Sequence, residues 1–159
     1  MSNADTMQST LLDIRAFVAF MRRERFRSFV IHGAPLGGKS TFARQLAEIE
    51  SGVYVDVLRL VSEDAELAAR VDELDENWLE DLAGKAVSDG ASFVVMDEWD
   101  FLIPVWGGDI KPLLHRLDRL RLQCPVAWVL TTRKEIEEAT LTRADGATRV
   151  LELTEIQDL

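Results

Sequence analysis

One stretch of the sequence, residues 28–41, constrains the fold more than any other. It joins an apolar run, a glycine-rich turn and the start of an amphipathic segment, and it reads SFVIHGAPLGGKST. The apolar side chains of Phe42, Leu46 and Ile49 follow with the spacing of one helix face. An apolar strand that turns directly into a helix is typical of proteins with a parallel sheet, so this stretch predicts the α/β class.

The turn has the spacing G-x-x-x-x-G-K-[ST], which is that of a phosphate-binding loop. Its glycines let successive backbone N–H groups point at phosphate oxygens, and the following helix directs its positive dipole end to the same anion. Lys39 is long enough to reach the β- and γ-phosphates, and the Ser40 hydroxyl is a hard ligand suited to Mg²⁺. The predicted nucleotide-binding residues are Gly33, Ala34, Pro35, Leu36, Gly37, Gly38, Lys39, Ser40 and Thr41.

A second candidate stretch is Asp97-Glu98-Trp99-Asp100, which follows the continuous apolar run of residues 93–96. Such a run predicts a strand that is covered on both faces. A carboxylate at the carboxyl end of that strand can hold the water ligands of Mg²⁺, so we predict Asp97 as a metal residue. Glu98 comes where the strand ends, and we predict it to be the general base that polarises the attacking water.

A later apolar run, residues 126–130, ends in Thr131-Thr132-Arg133. The carboxyl end of another core strand faces the same crevice, so Thr131 or Thr132 is predicted to orient the water and Arg133 to touch the γ-phosphate. Thr132 and Arg133 therefore join Lys39 and Glu98 as candidate catalytic residues. Arg143 has two interpretations: an arginine supplied to a neighbouring subunit, or an exposed turn residue, which we favour.

Strand and helix patterns alternate along the rest of the chain. They predict a parallel sheet of about five strands with helices on both faces, and an N-terminal helical extension from Ser9. Residues 60–88 are predicted to form one broken helix or two consecutive ones. The length favours a single domain over residues 9–159, whereas residues 1–8 are polar and patternless and are expected to be disordered or an expression remnant.

Composition excludes several classes of function. A net charge of −10 over 159 residues repels polyanions, so we expect no direct nucleic-acid binding by the lone subunit; the basic clusters 22–27 and 116–121 are predicted to be solvated. No apolar run approaches a membrane span of about 20 residues, and no signal-peptide pattern is present, which predicts a cytoplasmic protein without membrane contact. Cys124 is the single cysteine and is predicted to be buried; no zinc-ligand spacing occurs.

Taken together, residues 33–40, Asp97-Glu98 and the strand ending in Thr131-Thr132-Arg133 resemble a P-loop ATPase of the additional-strand, catalytic-glutamate division. Asp97-Glu98-Trp99-Asp100 is similar to the D-E-x-D box of AAA+ proteins, and residues 130–133 resemble the sensor segment of AAA+ and STAND ATPases. The resemblance implies a P-loop three-layer sandwich in which the strand before Thr131 separates the Walker A and Walker B strands. It also implies ATP and Mg²⁺ as ligands. Unlike AAA+ proteins, the sequence has no helical lid after its fifth strand, so we expect hydrolysis to be slow or partner-dependent.

A narrower resemblance is to the small single-domain ATPase of BREX phage-defence gene clusters. It rests on size, on the missing lid and on Gly52-Val53-Tyr54-Val55-Asp56, which leads into an acidic helical insert. It implies a bacterial defence subunit that acts inside a larger assembly, with a protein partner or further copies of itself.

Two other function classes stay open. A small-molecule kinase matches the chain in size, although no loop after the phosphate helix concentrates the arginines of a mobile lid. A non-hydrolysing interaction module would use nucleotide only to order an interface made by residues 99–106 and the N-terminal helix. Residues 99–106 are unusually apolar, and we favour a core position for Trp99 and Trp106 over an exposed patch.

Overall fold

The computed structural model describes residues 11–159 and has the α/β class that the sequence predicts. The strands are β1 (Ser28–Gly33), β2 (Val53–Asp56), β3 (Val94–Asp97), β4 (Val126–Thr131) and β5 (Val150–Glu152). The helices are α1 (Ile14–Met21), α2 (Lys39–Ile49), α3 (Val57–Glu63), α4 (Ala65–Ala69), α5 (Glu76–Ser88), α6 (Lys111–Arg119) and α7 (Lys134–Glu137). Short 3₁₀ turns lie at Val71–Glu73, Asp100–Leu102, Pro104–Trp106 and Leu153–Glu155.

All five strands are parallel, in the order β2-β3-β4-β1-β5. Strand β4 therefore lies between β1 and β3, which is the order that the resemblance implies. β1 and β3 are buried along their whole length and β4 up to its last residue, because both faces of the sheet are covered.

Alternation along the strands divides the core into two layers. Phe29, Val95 and Val129 point to the face covered by α1 and α2, whereas Val30 and Trp128 point to the face covered by α3, α5 and α6. Successive side chains of a strand point to opposite faces of the sheet, so each strand contributes residues to both layers of the core. The α1 contacts confirm the predicted N-terminal helical extension, although α1 begins at Ile14, where the Asp13 carboxylate accepts from the backbone N–H of Ala16 at 3.2 Å. The proposed start at Ser9 and the expectation for residues 1–8 lie outside the described residues.

Three helices, rather than one broken helix or two, occupy the segment after β2. Each begins at an aspartate whose carboxylate accepts from the first-turn backbone: Asp56 from Arg59, Asp64 from Leu67 and Asp75 from Trp78. Side-chain caps of this kind satisfy N–H groups that a helix start leaves free, so each aspartate starts a new helix. The hydrophobic spacing alone does not show these breaks.

The tryptophans after β3 take different positions. Trp99 is fully buried, which confirms the favoured core position, whereas Trp106 is half-buried, stacks on Trp99 with centroids 6.3 Å apart and donates its indole N–H to the Leu74 carbonyl oxygen. Cys124 is buried as predicted, and its burial raises the pKa of the thiol. None of the helices in residues 11–159 has the length and apolar character needed to cross a membrane.

Gly52 and Gly84 provide a matched test of the packing. A Cβ at Gly52 would lie 2.5 Å from the Phe93 carbonyl oxygen, where β2 meets β3, whereas a Cβ at Gly84 has nothing within 4 Å. We expect Gly52→Ala to destabilise the fold by about 1–3 kcal/mol through overpacking, and Gly84→Ala, inside α5, to stabilise it by about 0.5–1 kcal/mol. Urea denaturation of both variants measures this; equal unfolding midpoints would contradict the close approach at Gly52.

Candidate functional site

A cleft of about 490 Å³ opens at the carboxyl ends of β1, β3 and β4, and we call it the loop cleft. In parallel sheets, ligands bind at this edge because the loops that follow neighbouring strands converge there. The loop cleft is lined by Leu36, Gly37, Gly38, Lys39, Ser40, Thr41, Leu58, Asp97, Glu98, Asp100, Phe101 and Thr131.

The glycine-rich loop forms one wall of this cleft. The Gly37 N–H donates to the Ala34 carbonyl oxygen at 3.1 Å, and Gly38 takes the left-handed φ of +85° immediately before α2. Leu36, at φ +59°, is fully exposed at the tip. Ala34 and Pro35 are exposed on the rim, and Gly33 is buried at the end of β1. The loop therefore turns tightly while leaving its tip in solvent and the start of α2 facing the cleft.

Lys39 and Ser40, the first residues of α2, both face the loop cleft. Lys39 Nζ donates to the Ala34 carbonyl oxygen at 2.8 Å, which holds the ammonium charge against the loop. The Ser40 hydroxyl donates to Glu98 Oε1 at 2.6 Å. This contact joins residues 58 positions apart and brings the two candidate stretches into one site.

Asp97 ends β3 with its side chain almost fully buried. Its Oδ1 accepts from the Glu98 backbone N–H at 2.8 Å, and its Oδ2 accepts from the Tyr54 hydroxyl at 2.6 Å. Glu98 has the left-handed φ of +57°, which is uncommon for a residue with a side chain and turns its carboxylate toward α2.

Tyr54 is a site residue that the sequence reasoning missed. It pairs with Val95 in the register of β2 and β3, so Asp97, two residues further on, lies on the same face of the sheet. Burial and the hydrogen bond to Asp97 raise the pKa of Tyr54 well above its usual value, so the phenol stays a donor. Arg44 lies over the Tyr54 ring at 5.3 Å. The sequence signal for this residue is a tyrosine in a predicted strand. It can be recognised only from the strand order, which shows that this strand lies beside the one that ends in Asp97.

Asp100 and Thr131 connect the end of β3 to the end of β4. The Thr131 backbone N–H donates to Asp100 Oδ2 at 2.8 Å, and both residues line the loop cleft. The last residue of the D-E-x-D stretch therefore fixes the strand that carries the candidate sensor threonines.

Thr132 and Arg133 are not among the residues that line the loop cleft. Thr132 Oγ1 shares a hydrogen bond of 2.8 Å with His32 Nδ1, and Arg133 donates to Glu135 Oε2 at 2.9 Å and to the Gly108 carbonyl oxygen at 2.6 Å. Burial lowers the pKa of His32, against the opposite effect of nearby glutamates. Successive residues after a strand point in different directions, so Thr131 takes the position nearest the cleft. The catalytic roles of Thr132 and Arg133 stay predictions.

Arg143 lies away from the loop cleft. Its guanidinium pairs with Asp145 at 2.5 Å and lies 3.9 Å from the centroid of the Phe20 ring. These contacts fit a turn residue that is held by its own chain, but the Arg143 side chain is only 17% exposed, so the predicted exposure is wrong.

The donor set of the loop cleft fits Mg²⁺ with a nucleotide. Among residues 11–159, no three His, Cys, Asp or Glu side chains come together as a metal cluster. Mg²⁺ does not need one, because it keeps several waters and is held by one or two carboxylates plus substrate phosphates. Both predicted metal residues, Ser40 and Asp97, line the cleft, together with the carboxylates of Glu98 and Asp100.

Comparisons with protein-family models, curated proteins and solved structures find no match to this chain.

Proposed function

We propose that this chain is an ATP-binding P-loop protein of the additional-strand, catalytic-glutamate division, with slow or partner-activated Mg²⁺-dependent ATPase activity. The observation that carries the proposal is the hydrogen bond of 2.6 Å between Ser40 and Glu98, which unites the glycine-rich loop with the acidic end of β3. The strand order supports it, because β4 separates β1 and β3.

Four side chains that line the loop cleft have a role in this proposal: Lys39, Ser40, Asp97 and Glu98. The loop backbone and the start of α2 bind the phosphates, and Lys39 places its charge on the β- and γ-phosphates. Ser40 and Asp97 hold Mg²⁺, which when bound neutralises charge that develops during phosphoryl transfer. Glu98 accepts a proton from the water that attacks the γ-phosphorus in line, and the bond from that phosphorus to the bridging oxygen breaks as ADP leaves. Tyr54 orients the Asp97 carboxylate through its hydroxyl hydrogen bond.

The Ser40–Glu98 hydrogen bond also supports slow turnover. In this arrangement Glu98 Oε1 accepts from the Ser40 hydroxyl, so this oxygen is held at the start of α2 instead of being free to accept a proton from a water. A partner that moves Glu98 away from Ser40 would therefore accelerate hydrolysis. The resemblance to the small ATPase of BREX clusters suggests a phage-defence assembly as the setting.

Lys39→Ala tests nucleotide binding directly. We expect the affinity for ATP·Mg²⁺ to fall at least about 100-fold, because a charge-assisted contact to the phosphates is lost in a partly enclosed site. Isothermal titration calorimetry measures it, with Lys134→Ala, an exposed lysine at the start of α7, as the control of equal charge change. Wild-type affinity in Lys39→Ala would overturn the proposed function.

A further inference from the structure

A second cleft, of about 610 Å³, lies at the opposite edge of the sheet from the loop cleft. Its lining comes from segments that precede β1, β4 and β5. Because all five strands are parallel, their amino ends lie together, opposite the carboxyl ends that form the loop cleft. Five arginines line it, and we call it the arginine cleft: Arg25, Arg119, Arg121, Arg143 and Arg149. The two basic clusters of the sequence contribute three of them, so the fold brings together what the sequence separates.

Two of these arginines are neutralised within the chain. Arg149 is 1% exposed and pairs with Asp118 at 2.5 Å, and Arg143 pairs with Asp145. The remaining acid of the lining, Glu24, accepts from the Ala144 backbone N–H at 2.8 Å. The carboxylates at this cleft are therefore already engaged.

Arg25, Arg119 and Arg121 are exposed and have no carboxylate partner among residues 11–159. Arg25 and Arg121 instead lie 5.4 and 5.9 Å from the centroid of the half-buried Phe26 ring. Contact with an aromatic ring restricts a guanidinium without neutralising it. Three unpaired charges held at one cleft in a chain with ten excess acids make a binding surface for carboxylates or phosphates.

The acidic excess of the chain is itself concentrated in one place. Residues 63–81 hold nine acidic residues and one arginine, Arg70. This acidic segment covers α4 and the first half of α5. It follows β2, which is the strand at one side of the sheet, whereas Arg149 leads into β5, which is the strand at the other side. Within the described residues, only Glu63 and Glu80 of the segment form salt bridges, to Arg59 and Arg116.

We propose that the arginine cleft binds the acidic segment of a second copy of this chain, in a head-to-tail contact. The two surfaces have opposite charge, and the ion pair between Glu80 and Arg116, which links the acidic segment to the basic cluster 116–121 within the chain, leaves Arg25, Arg119 and Arg121 without a carboxylate among the described residues. A contact between two different surfaces of identical subunits is heterologous and continues into a ring or a filament.

Charge favours this occupant over a nucleic acid. The whole chain carries −10, which opposes a polyanion along its full length. A second copy presents its acids locally, and charges beyond the Debye length of about 8 Å at physiological salt are largely screened. Contact pairs between arginine and carboxylate therefore decide the association.

Sedimentation velocity at about 0.05 M and about 0.5 M NaCl tests the proposal. We expect the full chain to form assemblies larger than its 17.9 kDa monomer at low salt and to dissociate at high salt. Arg119→Glu with Arg121→Glu should weaken association at least about 100-fold, and so should Glu66→Lys with Glu73→Lys in the acidic segment. Lys111→Glu with Lys134→Glu, an equal charge change on exposed lysines outside both surfaces, should leave it unchanged.

Mixing the two interface variants gives the sharpest result. Each variant keeps one of the two surfaces intact, so the mixture should associate while each variant alone stays monomeric. A wild-type monomer at all salt concentrations overturns the proposal, and so does association that the arginine reversals leave intact. Binding of a single-stranded oligonucleotide that the arginine reversals abolish, in a chain that stays monomeric, would assign the cleft to nucleic acid instead. Lys39→Ala should assemble normally, which separates this proposal from the proposed function.

Discussion

Glu98→Gln is expected to bind ATP·Mg²⁺ with wild-type affinity and to release phosphate at least about 100-fold more slowly. The amide keeps the size of the side chain and can still accept from the Ser40 hydroxyl, but it cannot take a proton from water. Acid-quenched formation of phosphate under single-turnover conditions measures the hydrolysis step without contribution from product dissociation. Glu48→Gln, at an exposed carboxylate near the end of α2, removes the same charge and should leave the rate unchanged.

The products of the same assay separate the three function classes. Unchanged phosphate release by Glu98→Gln would remove Glu98 from the mechanism. Transfer of the γ-phosphate to a small acceptor, rather than to water, would identify a kinase. Tight ATP binding with no turnover in the wild-type chain, alone or assembled, would favour the non-hydrolysing interaction module.

Arg149→Met is expected to destabilise the fold by about 3–5 kcal/mol. The buried guanidinium donates to the carbonyl oxygens of Ser28 and Thr142, both at 2.9 Å, and to the Asp118 carboxylate. It therefore ties the start of β1, the end of α6 and the turn before β5 together. A methionine fills similar space but leaves the carbonyl oxygens of Ser28, Thr142 and Asp118 without their donor, and each unsatisfied buried acceptor costs about 1–3 kcal/mol.

Urea denaturation measures this effect, with Arg119→Met as the matched control in the arginine cleft. Arg119 is exposed and has no carboxylate partner among the described residues, so its replacement should change the free energy of unfolding by less than about 0.5 kcal/mol. Similar unfolding midpoints for the two variants would show that the Arg149 network contributes little to stability. Arg149→Lys should recover only part of the loss, because an ammonium lacks the planar fork that reaches several acceptors.

Local patterns predicted the parts of the structure that depend on neighbouring residues. The apolar runs at residues 93–96 and 126–130 became buried strands, because continuous apolarity suits a sheet covered on both faces. The glycine spacing of residues 33–40 led correctly to a tight loop that opens α2. The helix breaks after β2 were missed because capping aspartates interrupt a segment whose hydrophobic spacing continues.

By itself, the sequence determined the α/β class, the strand–loop–helix unit around Lys39 and the candidate residues at the strand ends, because propensity, spacing and capping act over a few residues. Only the tertiary structure decided the strand order, the Tyr54–Asp97 hydrogen bond, the placement of Thr131 rather than Thr132 at the loop cleft, and the meeting of two basic clusters. These depend on pairings between distant segments and on side-chain directions where strands end. Local periodicity carries no information about either.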